Sequence, residues 1–230
     1  MIKHHPKFEL IQAYVNGDLP ASLSMGISIH AEMCPACQQK IAQLTEQVAE
    51  SSFETEANQI ENIDAASANE FASDISFDFE SMINNITLSS EIDEMVESVS
   101  KTITFKSKTY QLPTVLNRIE LGKTANIGKL SRTRLQLDEA EIHSSLLHIN
   151  AGGGVPEHTH KGFELTVLLE GSFTDEKGEY VKGDFIMLDT SVKHNPISQE
   201  GCLCYTVAND ALHFTQGINK LLNPIGNFIY

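Results

Sequence analysis

The spacing of apolar residues changes near Ser100, and this change limits the folds open to the chain. Before Ser100, apolar residues recur every three to four positions, as in amphipathic helices. After Ser100, short apolar or alternating segments are separated by Gly, Pro, Asn and Asp, which is typical of strands and turns. The sequence therefore predicts two domains: an all-α helical bundle followed by an all-β jelly-roll barrel.

The first predicted domain covers residues 1–90 and contains three helices and a tethered fourth. The first helix begins at Pro6 and closes at Asn16-Gly17, since Pro suits the first helical position. The second covers about residues 21–30, and the third begins at Cys34-Pro35. A fourth helix is predicted between residues 71 and 88. Its apolar stripe consists of Phe71, Ile75, Phe79, Met82, Ile83 and Ile86.

Negative charge is concentrated between residues 51 and 100, where 12 Asp and Glu occur without any Lys or Arg. Residues 51–70 are predicted to form an acidic linker to the fourth helix, because such composition is typical of solvated connections. Like charge would repel phosphates, so this segment is not expected to bind nucleic acid directly. It could instead face a basic protein surface.

Residues 91–101 are predicted to link the two domains, and residues 102–230 to form the barrel. Predicted strands cover residues 102–105, 144–149, 165–169, 184–188 and 202–207. No apolar run reaches the roughly 20 residues that a membrane span needs, and no signal peptide is recognisable. We therefore expect a soluble, cytoplasmic protein in a reducing compartment.

The segment HAEMCPAC places His30, Cys34 and Cys37 at an H-x3-C-x2-C spacing. Two imidazoles and two thiolates form a closed, structural zinc site, and His5 is the preferred fourth ligand, with His4 as the alternative. The N-terminus of the third helix should lower the pKa of both thiols. Alone, the cysteine pair could equally be a redox pair or a metal site, and two packed cysteines are a further interpretation. The upstream histidines favour zinc.

A second group of candidate ligands lies in the barrel and comprises His158, His160, Glu164 and His194. On a strand, His158 and His160 point to one face, and Glu164 and His194 can reach that face from adjoining segments. Three imidazoles and a carboxylate suit zinc, iron or manganese, so the spacing leaves the metal open.

Cys202 and Cys204 alternate on a predicted strand, so that both face one side. Two buried, weakly hydrophobic side chains are one interpretation of this pair. A pair of oxidisable thiols near the barrel interior is the other.

In this order, the two groups of ligands resemble those of the ChrR family of zinc anti-sigma factors, over nearly the whole chain. His5, His30, Cys34 and Cys37 match its zinc anti-sigma motif; His158, His160, Glu164 and His194 match its cupin domain, and the Cys202-x-Cys204 pair also has a counterpart. Asp189 and Ser191 depart from the Pro and Gly usual in the second cupin motif, which affects the loop before His194.

The resemblance implies an anti-sigma factor whose helical domain sequesters an extracytoplasmic-function (ECF) sigma factor. It also implies that the cupin domain holds zinc and is needed to answer singlet oxygen or organic peroxide stress. The apolar stripe of the fourth helix supplies candidate sigma-factor contacts, although such a stripe can equally close the helical bundle. The alternative hypothesis is a metal-dependent cupin enzyme, a dioxygenase or isomerase, with a helical docking domain. No further acid or base supports catalysis, so we expect a regulator rather than an enzyme.

Overall fold

The computed structural model describes residues 1–61, 78–89, 100–210 and 213–214. The chain divides into two compact units, one made of Met1–Leu44 with Ser100–Tyr230 and the other of Thr45–Val99. This division differs from the predicted boundaries at residues 90 and 102. The first helices cluster with the barrel because the second helix buries its apolar face on the β-sheet.

The first three helices lie close to their predicted positions. Their bounds are α1, Phe8–Asn16; α2, Ala21–Met33; and α3, Pro35–Glu61. The helix α1 begins two residues after the predicted Pro6 and ends at Gly17, which adopts the left-handed conformation with φ of 78°. Glycine adopts this conformation without steric cost, so Gly17 stops the helix as the sequence predicts.

The predicted linker over residues 51–70 is wrong in its first part, because α3 continues to Glu61. Residues 51–61 contain neither proline nor glycine, and their Ala, Glu and Gln residues favour a helix. Residues 62–70 and 91–99 lie outside the described residues, so the rest of both predicted linkers remains a prediction.

The helix α4, Phe79–Thr87, is the described part of the predicted fourth helix. The carboxylate of Asp78 caps it by accepting a hydrogen bond from the Ser81 amide at 3.0 Å. The described members of its apolar stripe are exposed: Phe79, Met82, Ile83 and Ile86. Phe71 and Ile75 lie outside the described residues.

Antiparallel strands make up the second half of the chain. The strands are β1, Thr102–Phe105; β2, Lys108–Gln111; β3, Leu121–Ile127; β4, Leu130–Leu135; β5, His143–Ile149; β6, Gly153–Gly154; β7, His158–Thr159; β8, Glu164–Asp175; β9, Gly178–Val181; β10, Phe185–Leu188; β11, Ile197–Ser198; β12, Cys202–Ala208; and β13, His213–Phe214. A 3-10 turn covers Thr114–Leu116.

The strands form a nine-stranded sheet and two small ladders. The order within the large sheet is β3-β4-β5-β12-β8-β11-β6, and β9 and β10 also pair with β8. The hairpin β1-β2 and the pair β13-β7 form the ladders. Side chains from β4, β5, β8 and β12 line one internal cavity, so the large sheet curves around it.

The outer face of this sheet packs against α2. The helix approaches so closely at Gly26 that an added Cβ would lie 2.5 Å from Cδ2 of Leu165. The buried hydroxyl of Tyr205 donates a hydrogen bond to the carbonyl oxygen of Ser22 at 2.8 Å. The inner face carries its own buried cluster, which includes Leu168, Phe173 and Cys204. None of the described helices is both long and apolar enough to cross a membrane.

Candidate metal centres

The structure brings His5, His30, Cys34 and Cys37 together, with their ligand atoms within 4.8 Å of one another. Nδ1 of His5 lies 3.5 Å from both Cys34 Sγ and Cys37 Sγ. Nε2 of His30 lies 3.2 Å from Cys37 Sγ. A tetrahedron with zinc bonds of about 2.0–2.3 Å has edges of about 3.3–3.8 Å. The donor separations therefore fit one zinc ion at the centre of the four side chains.

Three short segments position these ligands. His5 lies in the extended segment before α1. His30 lies in the last turn of α2, Cys34 connects α2 to α3, and Cys37 lies in the first turn of α3. The amide of Cys34 donates to the carbonyl oxygen of His30 at 2.9 Å, which keeps the corner between the helices tight.

His4 points away from this cluster and contacts the barrel. Its Nδ1 lies 3.3 Å from Oδ2 of Asp184, whose Oδ1 accepts hydrogen bonds from the amides of Lys3 at 2.7 Å and His4 at 3.0 Å. Successive side chains of an extended segment point to opposite sides. The tertiary structure therefore favours His5 over His4 as the fourth ligand.

The ring of His30 is oriented from its far side by the barrel. Its Nδ1 lies 2.7 Å from the carbonyl oxygen of Gly183. Because a carbonyl oxygen only accepts, Nδ1 carries the proton and donates, and the Nε2 lone pair faces the cluster. Burial lowers the pKa of His30, so the ring is neutral at pH 7.

The pKa of the Cys37 thiol differs from the prediction. Burial and the neighbouring Cys34 raise the pKa of Cys37 to about 11, although the helix N-terminus was expected to lower it. Desolvation disfavours a thiolate more than the helix dipole favours it. Cys37 therefore needs a bound cation to ionise at neutral pH, which is the behaviour of a metal ligand.

The second group, His158, His160, Glu164 and His194, converges inside the barrel, and all four side chains are buried. His158 lies on β7, and its backbone pairs with that of His194. His160 follows β7, and Glu164 begins β8. Oε2 of Glu164 lies 3.0 Å from Nε2 of His160 and 3.3 Å from Nε2 of His194. Nε2 of His158 lies 2.8 Å from Nε2 of His194.

The protonation of these groups suits a cation. Burial, together with the neighbouring His194 and His160, lowers the pKa of His158 to about 4. Its Nδ1 donates to the carbonyl oxygen of Pro156 at 2.8 Å, so the Nε2 lone pair faces the other candidate ligands. Burial opposes ionisation of Glu164, but hydrogen bonds from His160 and His194 outweigh it and lower the pKa of the carboxyl group. A donor set of three imidazoles and a carboxylate suits zinc, iron or manganese.

Comparison with known proteins finds a matching family model and a similar protein. Residues 124–212 match the family model of the ChrR cupin-like domain. The Anti-sigma-E factor ChrR of Cereibacter sphaeroides is 26% identical in an alignment of 230 positions that covers 97% of this chain and 97% of that protein. The chain is similar to ChrR along nearly its whole length.

A solved structure supports the same architecture. The crystal structure of Rhodobacter sphaeroides SigE in complex with the anti-sigma ChrR contains a chain with a TM-score of 0.58 and 21% identity. The match covers 90% of this chain and 99% of that chain. Together with the matched domain, this likeness confirms the predicted fold class of helices followed by a cupin.

The loop before His194 departs from the cupin pattern at Asp189 and Ser191, yet it places His194 beside the other candidate ligands. Oδ1 of Asp189 accepts hydrogen bonds from the amide of Ser191 at 2.9 Å and from its hydroxyl at 2.5 Å. An Asp side chain that bonds two residues ahead shapes a turn much as Pro and Gly do. The backbone of His194 then pairs with His158, so the ChrR-like site keeps all four candidate ligands.

Cys202 and Cys204 lie on β12 and are both buried, with their Sγ atoms 4.0 Å apart. Cys204 lines the same cavity as the His and Glu ligands. A disulfide needs an S–S distance of about 2.05 Å, so the two sulfurs are separate thiols that would have to approach. A redox role for this pair remains a prediction.

Sequence reasoning missed the residues that hold the zinc ligands in place. Gly183 contributes a backbone carbonyl 153 positions from His30, and no side-chain type signals such a contact. Asp184 is an acidic residue in a barrel turn, and only its complete burial and its bonds to Lys3 and His4 reveal its function.

Proposed function

We propose that this chain is a cytoplasmic anti-sigma factor that binds and sequesters an ECF sigma factor and so represses its transcription programme. The observation that carries the proposal is the relationship to the Anti-sigma-E factor ChrR along 97% of both chains. The similar solved structure is of ChrR bound to SigE. The same relationship favours a regulator over a cupin enzyme.

In this proposal, zinc at His5, His30, Cys34 and Cys37 has a structural role. Among the residues that the structure describes, the hydrophobic cluster around it has four buried members: Ile11, Cys34, Cys37 and Leu44. So small a core gives little stability by itself, and metal binding adds free energy that only the folded state gains. Four protein ligands would complete the coordination and leave no position for a substrate.

The proposed sigma-factor contacts lie on the apolar stripe of α4. Ile83 is 58% exposed and Ile86 is 74% exposed, so both can be buried by a partner. The segment around α4 carries the concentrated negative charge of the chain. A basic partner surface would be attracted to the charge and would cover the stripe. Phe71 and Ile75 remain proposed contacts from sequence alone.

The cupin is the proposed sensor. We propose that a divalent metal, zinc by resemblance, binds His158, His160, Glu164 and His194, and that singlet oxygen or organic peroxide acts on this domain to release the sigma factor. The Cys202 and Cys204 thiols are candidates for the groups that the oxidant modifies. Their oxidation by a hydroperoxide would form one disulfide, with one alcohol and one water as products.

Co-expression with each ECF sigma factor of the same genome tests the primary proposal. Co-purification at one-to-one stoichiometry, with a lowered output from a sigma-dependent promoter, is the expected result. If no sigma factor co-purifies with the zinc-loaded chain, the proposal fails.

The sensing step is tested separately on the purified complex. Organic hydroperoxide should dissociate the wild-type complex and leave the His160→Gln complex intact, because the variant loses a cupin ligand. The Cys202→Ser variant distinguishes thiol oxidation from chemistry at the metal. Equal dissociation of wild type and His160→Gln would exclude the cupin metal as the sensor.

A further inference from the structure

The barrel surrounds a cavity whose wall contains an arginine side chain in addition to the candidate metal ligands. His158, Glu164 and His194 line one part of it, and Arg132 and His143 line another. The sigma-factor proposal makes no use of Arg132. Arg132 lies on β4 opposite Leu147 of β5, whose side chain also lines the cavity.

The guanidinium group of Arg132 lacks the partner that a buried cation normally has. Its Nε and Nη1 atoms are buried and, within the part of the chain that the structure describes, have no hydrogen-bond partner. Buried polar groups are nearly always paired, and each exception calls for an explanation such as an absent ligand. Burial, with the nearby charge of Arg134, lowers the pKa of Arg132 to about 10, so the group still carries its charge at pH 7.

The surrounding groups do not neutralise this charge. The neighbouring Arg134 adds a second cation, and both arginines, after burial, lower the pKa of His143. Glu164, the carboxylate that lines the cavity, instead bonds His160 and His194. A buried cation without a counter-charge is costly, so this end of the cavity favours an anion.

The rest of the cavity limits the size and character of that anion. Leu147, Ile149, Val155 and Phe173 contribute an apolar wall. The cavity offers about 50 Å³ to the centres of water-sized molecules, room for only about three or four waters at roughly 10–15 Å³ each. A guanidinium group prefers planar carboxylates. A small carboxylate with a short apolar body therefore fits the charge of Arg132, the apolar wall and the volume of the cavity.

We propose that the cupin cavity binds a short-chain monocarboxylate, whose carboxylate accepts hydrogen bonds from the guanidinium group of Arg132. The ligand would occupy the cavity that the metal ligands also line, which gives the domain a site for a small acidic molecule. This inference does not depend on sigma-factor binding, since it concerns only the interior of the barrel.

Calorimetric titration of the zinc-loaded full chain with acetate tests the site, with acetamide as the neutral probe of similar shape. Acetate should bind saturably and acetamide should not. Arg132→Gln should weaken acetate binding at least tenfold, whereas Arg118→Gln should leave it unchanged, because Arg118 is exposed and does not line the cavity. Equal acetate affinity in wild type and Arg132→Gln would place the anion elsewhere, for example on the metal, and would overturn the proposal.

Thermal unfolding provides an independent measurement on the same variants. Without acetate, Arg132→Gln should melt at a higher temperature than wild type, because it removes an uncompensated buried charge. Acetate should raise the melting temperature of wild type and not that of the variant. A lower melting temperature for the acetate-free variant would show that Arg132 is already paired, which contradicts the proposal.

Nitrogen-15 spectra provide a third measurement that does not need the Arg132→Gln variant. Acetate should shift the Nε–H resonance of one buried arginine, assigned to Arg132 by its loss in Arg132→Lys. If no arginine Nε–H resonance moves as acetate is added to saturation, the proposal is wrong.

Discussion

Nδ1 of His30 lies 2.7 Å from the carbonyl oxygen of Gly183, so a turn of the barrel orients a candidate zinc ligand of the helical segment. The next residue, Asp184, binds the amides of Lys3 and His4 and thereby places His5. One turn between β9 and β10 therefore orients two of the four candidate ligands. The helical zinc cluster and the barrel share this support, although their sequence motifs are separate.

Replacement of Gly183 by alanine should weaken zinc binding and stability. Gly183 has φ of +92°, and an added Cβ would lie 2.5 Å from Cδ1 of Ile2. Overpacking of this kind costs about 1–3 kcal/mol, and the left-handed backbone adds about 1–2 kcal/mol. Chelator competition and thermal unfolding measure both effects.

Gly128→Ala is the matched control for this substitution. Gly128 also has positive φ, +57°, but an added Cβ would meet nothing within 4 Å. It should show the backbone cost without loss of zinc affinity. If Gly183→Ala and Gly128→Ala bind zinc with equal affinity, the barrel turn does not orient His30 for zinc binding.

Substitutions of His4 and His5 should have different effects on the zinc content of the protein. His5→Gln should lose about one equivalent of zinc, because His5 Nδ1 lies near both candidate thiol ligands. His4→Gln should keep that equivalent, since His4 contacts Asp184. Retention of zinc by His5→Gln, with loss in His4→Gln, would reverse the assignment.

Zinc affinity should rise with pH. The pKa of Cys37 in the metal-free fold is raised to about 11, so the thiol is protonated at neutral pH and must lose a proton when zinc binds. Each proton released makes the affinity about tenfold tighter per pH unit. Competition titrations one pH unit apart measure this slope, and a slope of zero would show that Cys37 already binds as a thiolate or does not bind.

Glu164→Gln should remove the cupin metal and spare the N-terminal one. The substitution takes away the only negative charge among the four ligands, and the buried imidazoles cannot supply it. Metal content should fall by about one equivalent, with sigma-factor binding intact. Glu170→Gln serves as the control, because Glu170 pairs with Lys182 on the surface. Loss of sigma-factor binding in Glu164→Gln would argue against separate tasks for the two sites.

A charge on the α4 stripe should abolish partner binding without unfolding the chain. Ile83→Asp puts a carboxylate into the proposed contact and should weaken sigma-factor binding about 30-fold or more, as loss of a central interface residue does. Its melting temperature should stay unchanged, because Ile83 is 58% exposed. Asn84→Asp adds the same charge beside the stripe and should bind nearly normally. Equal affinity of both variants and wild type would exclude this stripe as the contact surface.

Much of the two candidate sites could be predicted because metal chemistry admits few residue types. Histidine, cysteine and glutamate at fixed spacing identify both ligand sets, and the strand and helix periodicities place them on neighbouring elements. The choice between His4 and His5 could not be made in this way. It depends on the contact between His4 and Asp184, which lie 180 positions apart.

Other features follow from long-range packing and had no local signal. The extension of α3 to Glu61 reflects helix propensity that the acidic composition obscured. Arg132 attracts no notice in sequence, because an arginine on a strand is ordinarily exposed. Its significance comes from the curved sheet, which places the side chain in the wall of the cavity.

By itself, the sequence determined the two periodicities, the two ligand sets and hence the order of a helical and a barrel part. These depend on residue type and spacing along the chain, which are local properties. Only the tertiary structure decided that α2 packs on the sheet and that Gly183 and Asp184 orient the candidate zinc ligands. It also decided that Nε and Nη1 of Arg132 are buried without a hydrogen-bond partner among the described residues. Burial and hydrogen-bond geometry arise when distant segments meet, so no stretch of sequence contains them.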